Sequence, residues 1–167
     1  RRSSDLLGNV YKQIGNYKKA EEYYQGALEK NPSFILAYNN LGTVYEQQGE
    51  HEKALQIYEK GLEHDPNNPS LLYNRGVAHD TLGKLDEAYN DFSSALKSRP
   101  DWVDGINNLG VVLQKQKKDD QAMQTFQKIL ELDPANTQAR NNIGVILVGQ
   151  GKPEEAEHYY REALKVN

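Results

Sequence analysis

Asparagine recurs at a constant interval in this sequence, at every thirty-fourth position from Asn40 through Asn74 and Asn108 to Asn142. The residue before three of these is also an asparagine: Asn39, Asn107 and Asn141. An amide side chain offers two N–H donors and one oxygen acceptor, which matches the N–H and C=O groups that an extended peptide presents. Asparagine is also a mediocre helix former, so its recurrence inside a helical pattern indicates a role beyond local structure. The pattern predicts a row of amides that could hold a peptide main chain.

The other reactive residue types form no catalytic or metal-binding pattern. The four histidines are scattered along the chain: His51, His64, His79 and His158. His51-Glu52 lacks the second histidine, four residues after the first, that the zinc-protease motif requires. Neighbouring acids such as Glu154 and Glu155 are typical of helix starts, where the helix dipole favours negative charge. We therefore expect no enzymatic activity, no metal and no cofactor.

Composition excludes several functional classes. The 167 residues include no cysteine, which excludes disulfide scaffolds, cysteine zinc sites and thiol nucleophiles. A net charge of -4 argues against nucleic-acid binding, which needs a basic surface. A mean hydropathy of -0.85 argues against membrane insertion. Since no apolar segment follows Arg1-Arg2 and the chain does not start with Met, we expect a cytoplasmic fragment of a longer protein.

The same interval extends to other residue types, so the whole chain is repetitive. Five glycines share one position of the repeat: Gly8, Gly42, Gly76, Gly110 and Gly144. An alanine and an aromatic residue also recur in register: Ala20, Ala54, Ala88, Ala122 and Ala156, then Tyr24, Tyr58, Phe92, Phe126 and Tyr160. A proline closes each of the first four repeats. The chain therefore divides into five repeats: 1–34, 35–68, 69–102, 103–136 and 137–167.

The apolar residues within a repeat follow the spacing of two helices. In the second repeat Tyr38, Leu41 and Tyr45 lie on one helical stripe, and a second stripe follows after a short turn. Gly49 suits the left-handed conformation that follows a helix end, whereas Lys117 at the equivalent place should be strained by about 1 kcal/mol. One such repeat cannot bury its apolar stripe alone, so the repeats must stack.

This pattern of a glycine, an alanine, aromatic residues and a closing proline resembles the tetratricopeptide repeat family over the whole chain. The resemblance implies an all-α fold, a right-handed α-solenoid of five helix-turn-helix repeats with about ten antiparallel helices in a single domain. It also implies that the first helix of each repeat lines a concave groove, while the second helix faces outward. Departures such as Arg75 in place of leucine are local.

The family's groove-facing positions include the fifth, sixth and ninth of each repeat. The resemblance therefore implies that a peptide binds there, and that the groove residues are Asn9, Asn39, Asn40, Asn74, Asn107, Asn108, Asn141, Asn142, Val77, Val111 and Val145. The three valines would form an apolar row beside the amides, suited to spaced apolar side chains of a partner. This row of asparagines is similar to the asparagine row in the superhelix of O-GlcNAc transferase. That row is implicated in holding protein substrates.

Three functions remain open from the sequence. The first is a non-enzymatic scaffold that binds an extended segment of a partner protein in the groove. The second is a self-associating structural module, because Tyr159, Tyr160 and Leu164 on the last helix carry apolar surface that a further repeat would cover. The third is the substrate-recruiting arm of a larger enzyme, such as a glycosyltransferase. The asparagines could also bridge neighbouring helices, and the valines could only pack helices together.

Overall fold

The structure is a computed structural model that describes residues 2–165, and this part of the chain is all-α, with ten helices and no strand. The helices are α1 (Arg2–Gln13), α2 (Tyr17–Lys30), α3 (Ile35–Gln47), α4 (His51–His64), α5 (Pro69–Thr81), α6 (Leu85–Ser98), α7 (Val103–Lys115), α8 (Asp119–Leu132), α9 (Thr137–Gly149) and α10 (Pro153–Leu164). From α3 onward, each first helix begins at the first residue of its repeat, as the sequence predicts. No helix in residues 2–165 combines the length and apolar character needed to cross a membrane.

The chain forms two compact units, Arg1–Ser98 and Arg99–Asn167. In the first unit α1 packs on α2, α3 on α4 and α5 on α6, and contacts of α2 with α3 and of α4 with α5 join these pairs. In the second unit α7 packs on α8 and α9 on α10, and α8 joins the pairs by packing on α9. Each unit is thus a stack of helix pairs, which confirms the predicted helical solenoid. The extension of one domain over residues 1–167 stays a prediction.

A glycine on the first helix of each repeat makes room for an aromatic ring from the second helix. The five pairs are Gly8 and Tyr24, Gly42 and Tyr58, Gly76 and Phe92, Gly110 and Phe126, and Gly144 and Tyr160. A Cβ atom built on Gly110 would lie only 2.5 Å from Cε1 of Phe126, which is well inside van der Waals contact. The ring therefore occupies the place of the missing side chain, and the two helices approach closely.

The turn inside each repeat has the backbone conformation that the sequence predicts. Four turns carry a glycine with φ between 73° and 75°: Gly15, Gly49, Gly83 and Gly151. In the fourth repeat Lys117 adopts the same left-handed conformation, with φ of 62°. A side chain with Cβ is unfavourable there, so the turn of the fourth repeat stores strain that the other turns avoid.

A buried charged cluster replaces part of the apolar core in the third repeat. The carboxylate of Asp91 on α6 accepts hydrogen bonds from Nε and Nη2 of Arg75 at 2.9 and 2.6 Å. Nδ1 of His79 lies 3.0 Å from the same carboxylate. Arg75 stands where the other repeats have leucine or isoleucine. Because a buried carboxylate needs such partners, the cluster is stable only as a unit.

Two glycine substitutions should have opposite effects on stability. Alanine at Gly42 would overlap the ring of Tyr58, so we expect Gly42→Ala to lower the free energy of unfolding by about 2 kcal/mol. Gly26 lies inside α2, and a Cβ atom there would meet nothing within 4 Å. Gly26→Ala should therefore raise the free energy of unfolding by about 0.5–1 kcal/mol, because glycine costs more backbone entropy. Urea unfolding followed by circular dichroism measures both, and equal effects would contradict the steric argument.

Removing the strained side chain at Lys117 should stabilise the second compact unit. Glycine adopts a positive φ without steric cost, so Lys117→Gly should raise the free energy of unfolding by about 1 kcal/mol. The adjacent exposed Lys118 has an ordinary negative φ of -95°, and Lys118→Gly serves as the control for loss of charge. A thermal melt in which both variants change alike would show that strain at Lys117 is not released.

The charged cluster should be costly to break but replaceable as a whole. Asp91→Ala leaves the cationic partner half-buried without its carboxylate, so the free energy of unfolding should fall by about 3 kcal/mol. The second repeat carries Leu41 and Ile57 at the positions of Arg75 and Asp91, and the fourth repeat carries Leu113 at the position of His79. The triple variant Arg75→Leu/His79→Leu/Asp91→Ile should therefore regain most of the loss. Urea unfolding of the single and triple variants tests this, and a triple variant as unstable as Asp91→Ala would contradict it.

Candidate functional site

The predicted asparagines lie on the first helices, and two pairs of them meet across neighbouring repeats. Nδ2 of Asn74 on α5 donates to Oδ1 of Asn39 on α3 at 2.7 Å. In the second compact unit, Nδ2 of Asn142 on α9 donates to Oδ1 of Asn107 on α7 at 3.1 Å. Both bonds join the fifth position of one repeat to the sixth position of the next. The repetition makes this amide pair a regular feature of the first-helix face.

The start of the row has a different network, because the fifth position of the first repeat is Asp5. Asn40 is buried, and its Nδ2 donates to Oδ1 of Asn9 at 3.3 Å. The same oxygen of Asn9 accepts from the hydroxyl of Tyr24 at 2.7 Å. Nζ of Lys12 donates to Oδ1 of Asn40 at 3.4 Å, and burial lowers the pKa of Lys12. This end of the row is therefore a linked amide network with a cation at its edge.

The amide pairs keep hydrogen-bonding capacity after they form. The bond from Asn74 to Asn39 uses one N–H of the first amide and one lone pair of the second, which leaves further N–H groups and an oxygen on the two side chains. Both residues are only half-buried, so these groups are not sealed in the core. The pair also fixes the orientation of each amide, and the remaining donors and acceptors are held in a constant arrangement.

The other predicted residues differ in exposure. Asn108 is half-buried on α7, while Asn141 is exposed on α9. Val77 and Val111 are half-buried, and Val145 leaves about half of its surface exposed, at 52%. The apolar row therefore offers most of its accessible surface in the last repeat, and its role in binding stays a prediction.

Sequence reasoning left open whether the asparagines bridge neighbouring helices, and the structure shows that three pairs do: Asn40 with Asn9, Asn74 with Asn39, and Asn142 with Asn107. It missed the rule that joins the fifth position to the sixth position of the next repeat. The consecutive asparagines at 39–40, 107–108 and 141–142 carried that signal. It also missed the contacts that Lys12 and Tyr24 make with Asn40 and Asn9, because these depend on side-chain direction rather than on spacing. Contact of the asparagines with a ligand stays a prediction.

The histidines at positions 51, 64 and 79 each contact a different set of residues. His79 belongs to the buried cluster, Nδ1 of His51 lies 2.9 Å from Oε2 of Glu46, and the ring of His64 stacks on Tyr38 with centroids 5.8 Å apart. Among residues 2–165, no group of three or more histidine, aspartate or glutamate side chains is placed to hold a metal ion.

Four family models match the sequence. Models described as a tetratricopeptide repeat match residues 35–68 and 102–167, one described as a TPR repeat matches residues 8–49, and a further tetratricopeptide repeat model matches residues 57–90. Together these matches leave out only the first seven residues and residues 91–101. No curated protein matches the sequence.

Several solved structures are similar in fold. The crystal structure of MamA is 22% identical, with a TM-score of 0.89 over 96% of this chain and 94% of that chain. The crystal structure of YrrB, a TPR protein, is 23% identical, with a TM-score of 0.83 over 98% of this chain and 84% of that chain. PilF of Pseudomonas aeruginosa is 27% identical, with a TM-score of 0.86 over 99% of this chain and 76% of that chain.

Proteins of this fold are generally non-catalytic scaffolds for protein interactions, in line with a first-helix face that presents amides rather than reactive groups. The period of the repeats, the helix pairs and the matching models all agree. The chain belongs to the tetratricopeptide repeat family.

Proposed function

We propose that this protein is a scaffold that binds an extended segment of a partner protein across its first helices. The observation that carries the proposal is the repeated amide pair, whose orientation is fixed by one hydrogen bond while other donors and acceptors remain available. A peptide main chain presents the complementary N–H and C=O groups at every residue.

The spacing of the first helices suits an extended ligand. In the first compact unit α1 contacts α3, and α3 contacts α5. Packed helices lie about 8–10 Å apart, which corresponds to about three residues of extended chain at roughly 3.3 Å each. A peptide that crosses the helices would therefore meet one amide group about every third residue. Side chains of the intervening residues could reach Val77, which lies one helical turn beyond Asn74 on α5. In the second compact unit Val145 lies one helical turn beyond Asn142 on α9.

A similar structure supports this kind of ligand. The structure of YrrB is described as that of a TPR protein with an unusual peptide-binding site. That description concerns YrrB, and it supports a peptide as the class of ligand for this fold without fixing the residues that contact it here.

A substitution at one exposed asparagine of the row can show the effect on peptide binding separately from the effect on stability. Peptides of about 12 residues, which reach about 40 Å when extended, are first selected from a random displayed library. Asn141 is exposed and makes no side-chain hydrogen bond within residues 2–165. We expect Asn141→Ala to weaken binding of the selected peptide by about 1–2 kcal/mol in isothermal titration, while its thermal unfolding stays unchanged. Asn142→Ala, in the same compact unit, should weaken binding and also lower stability, since it removes the bond to Asn107.

Asn90 provides the matched control, because it is an exposed asparagine on the second helix α6. Asn90→Ala should leave both peptide affinity and stability unchanged. If Asn141→Ala and Asn142→Ala bind the selected peptide as tightly as the wild type, the row of asparagines has only the structural role of bridging helices. A library that gives no binder with Kd below about 1 mM would also contradict the proposal.

A further inference from the structure

One face of α3 changes from apolar to acidic along the length of the helix. Leu36, Asn39, Thr43 and Glu46 follow one another at intervals of three or four residues, so they form one stripe on the helix. Leu36 lies in the first turn and Glu46 in the last turn, about 15 Å further along the axis at 1.5 Å per residue. The amides that bridge neighbouring first helices therefore lie between an apolar end and an acidic end.

The apolar end is formed by Leu36, which leaves 48% of its surface exposed. The equivalent residues of the other repeats are all polar: Arg2, Ser70, Asp104 and Gln138. Because α3 contacts α1 as well as α5, Leu36 stays exposed although first helices pack on both sides of it. A ligand that covers Leu36 with an apolar side chain would remove this surface from water, which is favourable.

The acidic end is formed by Glu46, whose carboxylate has few partners. Its Oε2 lies 2.9 Å from Nδ1 of His51, whereas its Oε1 is enclosed and has no hydrogen-bond partner among residues 2–165. The hydroxyl of Tyr58 is likewise enclosed without a partner, and burial together with the charge of Glu46 raises the pKa of Tyr58. The side chain of Glu46 is 19% exposed, so a charged ligand can approach it from the face of the helix.

The charges around Glu46 favour a cation at this end. Asp80 occupies the same position on the next first helix, α5, and adds a second acid to this edge. Lys12 is engaged on the α1 side, where its Nζ donates to Oδ1 of Asn40 at 3.4 Å and to Oγ1 of Thr43 at 3.5 Å. A lysine or arginine of a ligand would therefore meet an acidic edge in a partly desolvated setting, where an ion pair is stronger than in water.

An extended main chain that runs along the amides would direct its side chains to the two ends of the stripe. In an extended segment, successive side chains point to opposite sides, at right angles to the N–H and C=O groups. When the main chain faces the asparagines, one residue points toward the start of α3 and the next residue toward its end. Along the axis, Asn40 lies about 6 Å from Leu36 and about 9 Å from Glu46. A long basic side chain suits the greater of these distances.

We propose, on the basis of the peptide-binding function above, that the segment bound by the first compact unit carries an apolar residue adjacent in sequence to a lysine or arginine. The apolar side chain packs on Leu36, and the basic side chain pairs with Glu46. This order belongs to α3 and not to the repeat, because the corresponding stripe of α7 has Asp104 near its start and Val111 toward its end. The second compact unit would therefore not select the same pair of residues.

Peptides selected against the whole chain from a random displayed library of 12-residue peptides provide the probe. Those that Asn74→Ala weakens are assigned to the first compact unit, and we expect them to share an adjacent apolar and basic pair. Replacing the basic residue by glutamate should weaken binding to the wild type at least about tenfold in isothermal titration. Glu46→Lys should weaken the original peptide equally and restore the affinity of the glutamate peptide. Leu36→Ser should weaken the original peptide about threefold to tenfold.

Two variants outside the stripe are the matched controls. Glu22 is an exposed acid on the second helix α2, so Glu22→Lys makes the same change of net charge away from the amides. Ile14 is an apolar residue just after α1 that is 68% exposed, so Ile14→Ser removes a comparable apolar surface. Both variants should bind the original peptide like the wild type. Circular dichroism at the temperature of the titration checks that every variant is folded.

Failure of peptide binding and failure of this specificity give different results. If no peptide is selected, or if Asn74→Ala weakens none of them, the first unit does not hold a main chain on its amides, and both proposals are wrong for this unit. If Asn74→Ala weakens binding but the peptides lack the apolar and basic pair, only the specificity is wrong. The same conclusion follows if Glu46→Lys does not restore the glutamate peptide, or if Glu22→Lys weakens the original peptide as much as Glu46→Lys does.

Discussion

The contact between a glycine on the first helix and an aromatic ring on the second helix is the constraint on which each repeat depends. The ring of Phe126 occupies the space that a side chain at Gly110 would fill, so the two helices are held at one distance and in one register. Because the contact recurs in every repeat, the helix pairs are built alike. The alanines at Ala20 and Ala54 are fully buried and serve the same close approach from the second helix.

The regular geometry of the helix pairs explains why the polar face is regular as well. The fifth position of one first helix comes within hydrogen-bond distance of the sixth position of the next, both in α3 with α5 and in α7 with α9. An asparagine at each position satisfies this geometry and leaves donors to spare. Where the fifth position is Asp5, the amide of Asn40 pairs with Asn9 instead. The packing of the helices sets the distance between the two positions, and the residue type at each position determines which hydrogen bonds the amides form.

The period made most of the fold predictable from the sequence, because glycine, alanine and proline report backbone geometry directly. The left-handed turn at Lys117 could be placed in this way, since the position is fixed by its four glycine counterparts. The ionic cluster of Arg75, His79 and Asp91 could not, because its partners come from two helices and only Arg75 stands out against the repeat pattern. The hydrogen bond from Asn74 to Asn39 was missed for a similar reason. Spacing gives the face of a helix, but the partner of a side chain depends on how neighbouring helices pack.

Repetition has a consequence that single-core proteins do not share. When every repeat presents one face to the repeat before it and a complementary face to the repeat after it, the first and last repeats carry matching surfaces. Solenoids commonly prevent such contacts by making the outer faces polar. Here the face of α1 departs from the internal pattern in the apolar direction, with Ile14 in place of the polar Gln48. The face of α10 keeps Tyr160 and Leu164 as in an internal repeat. The residue types on α1 and α10 therefore match those of an internal contact at most positions, so the stacking pattern continues through the first and last described helices.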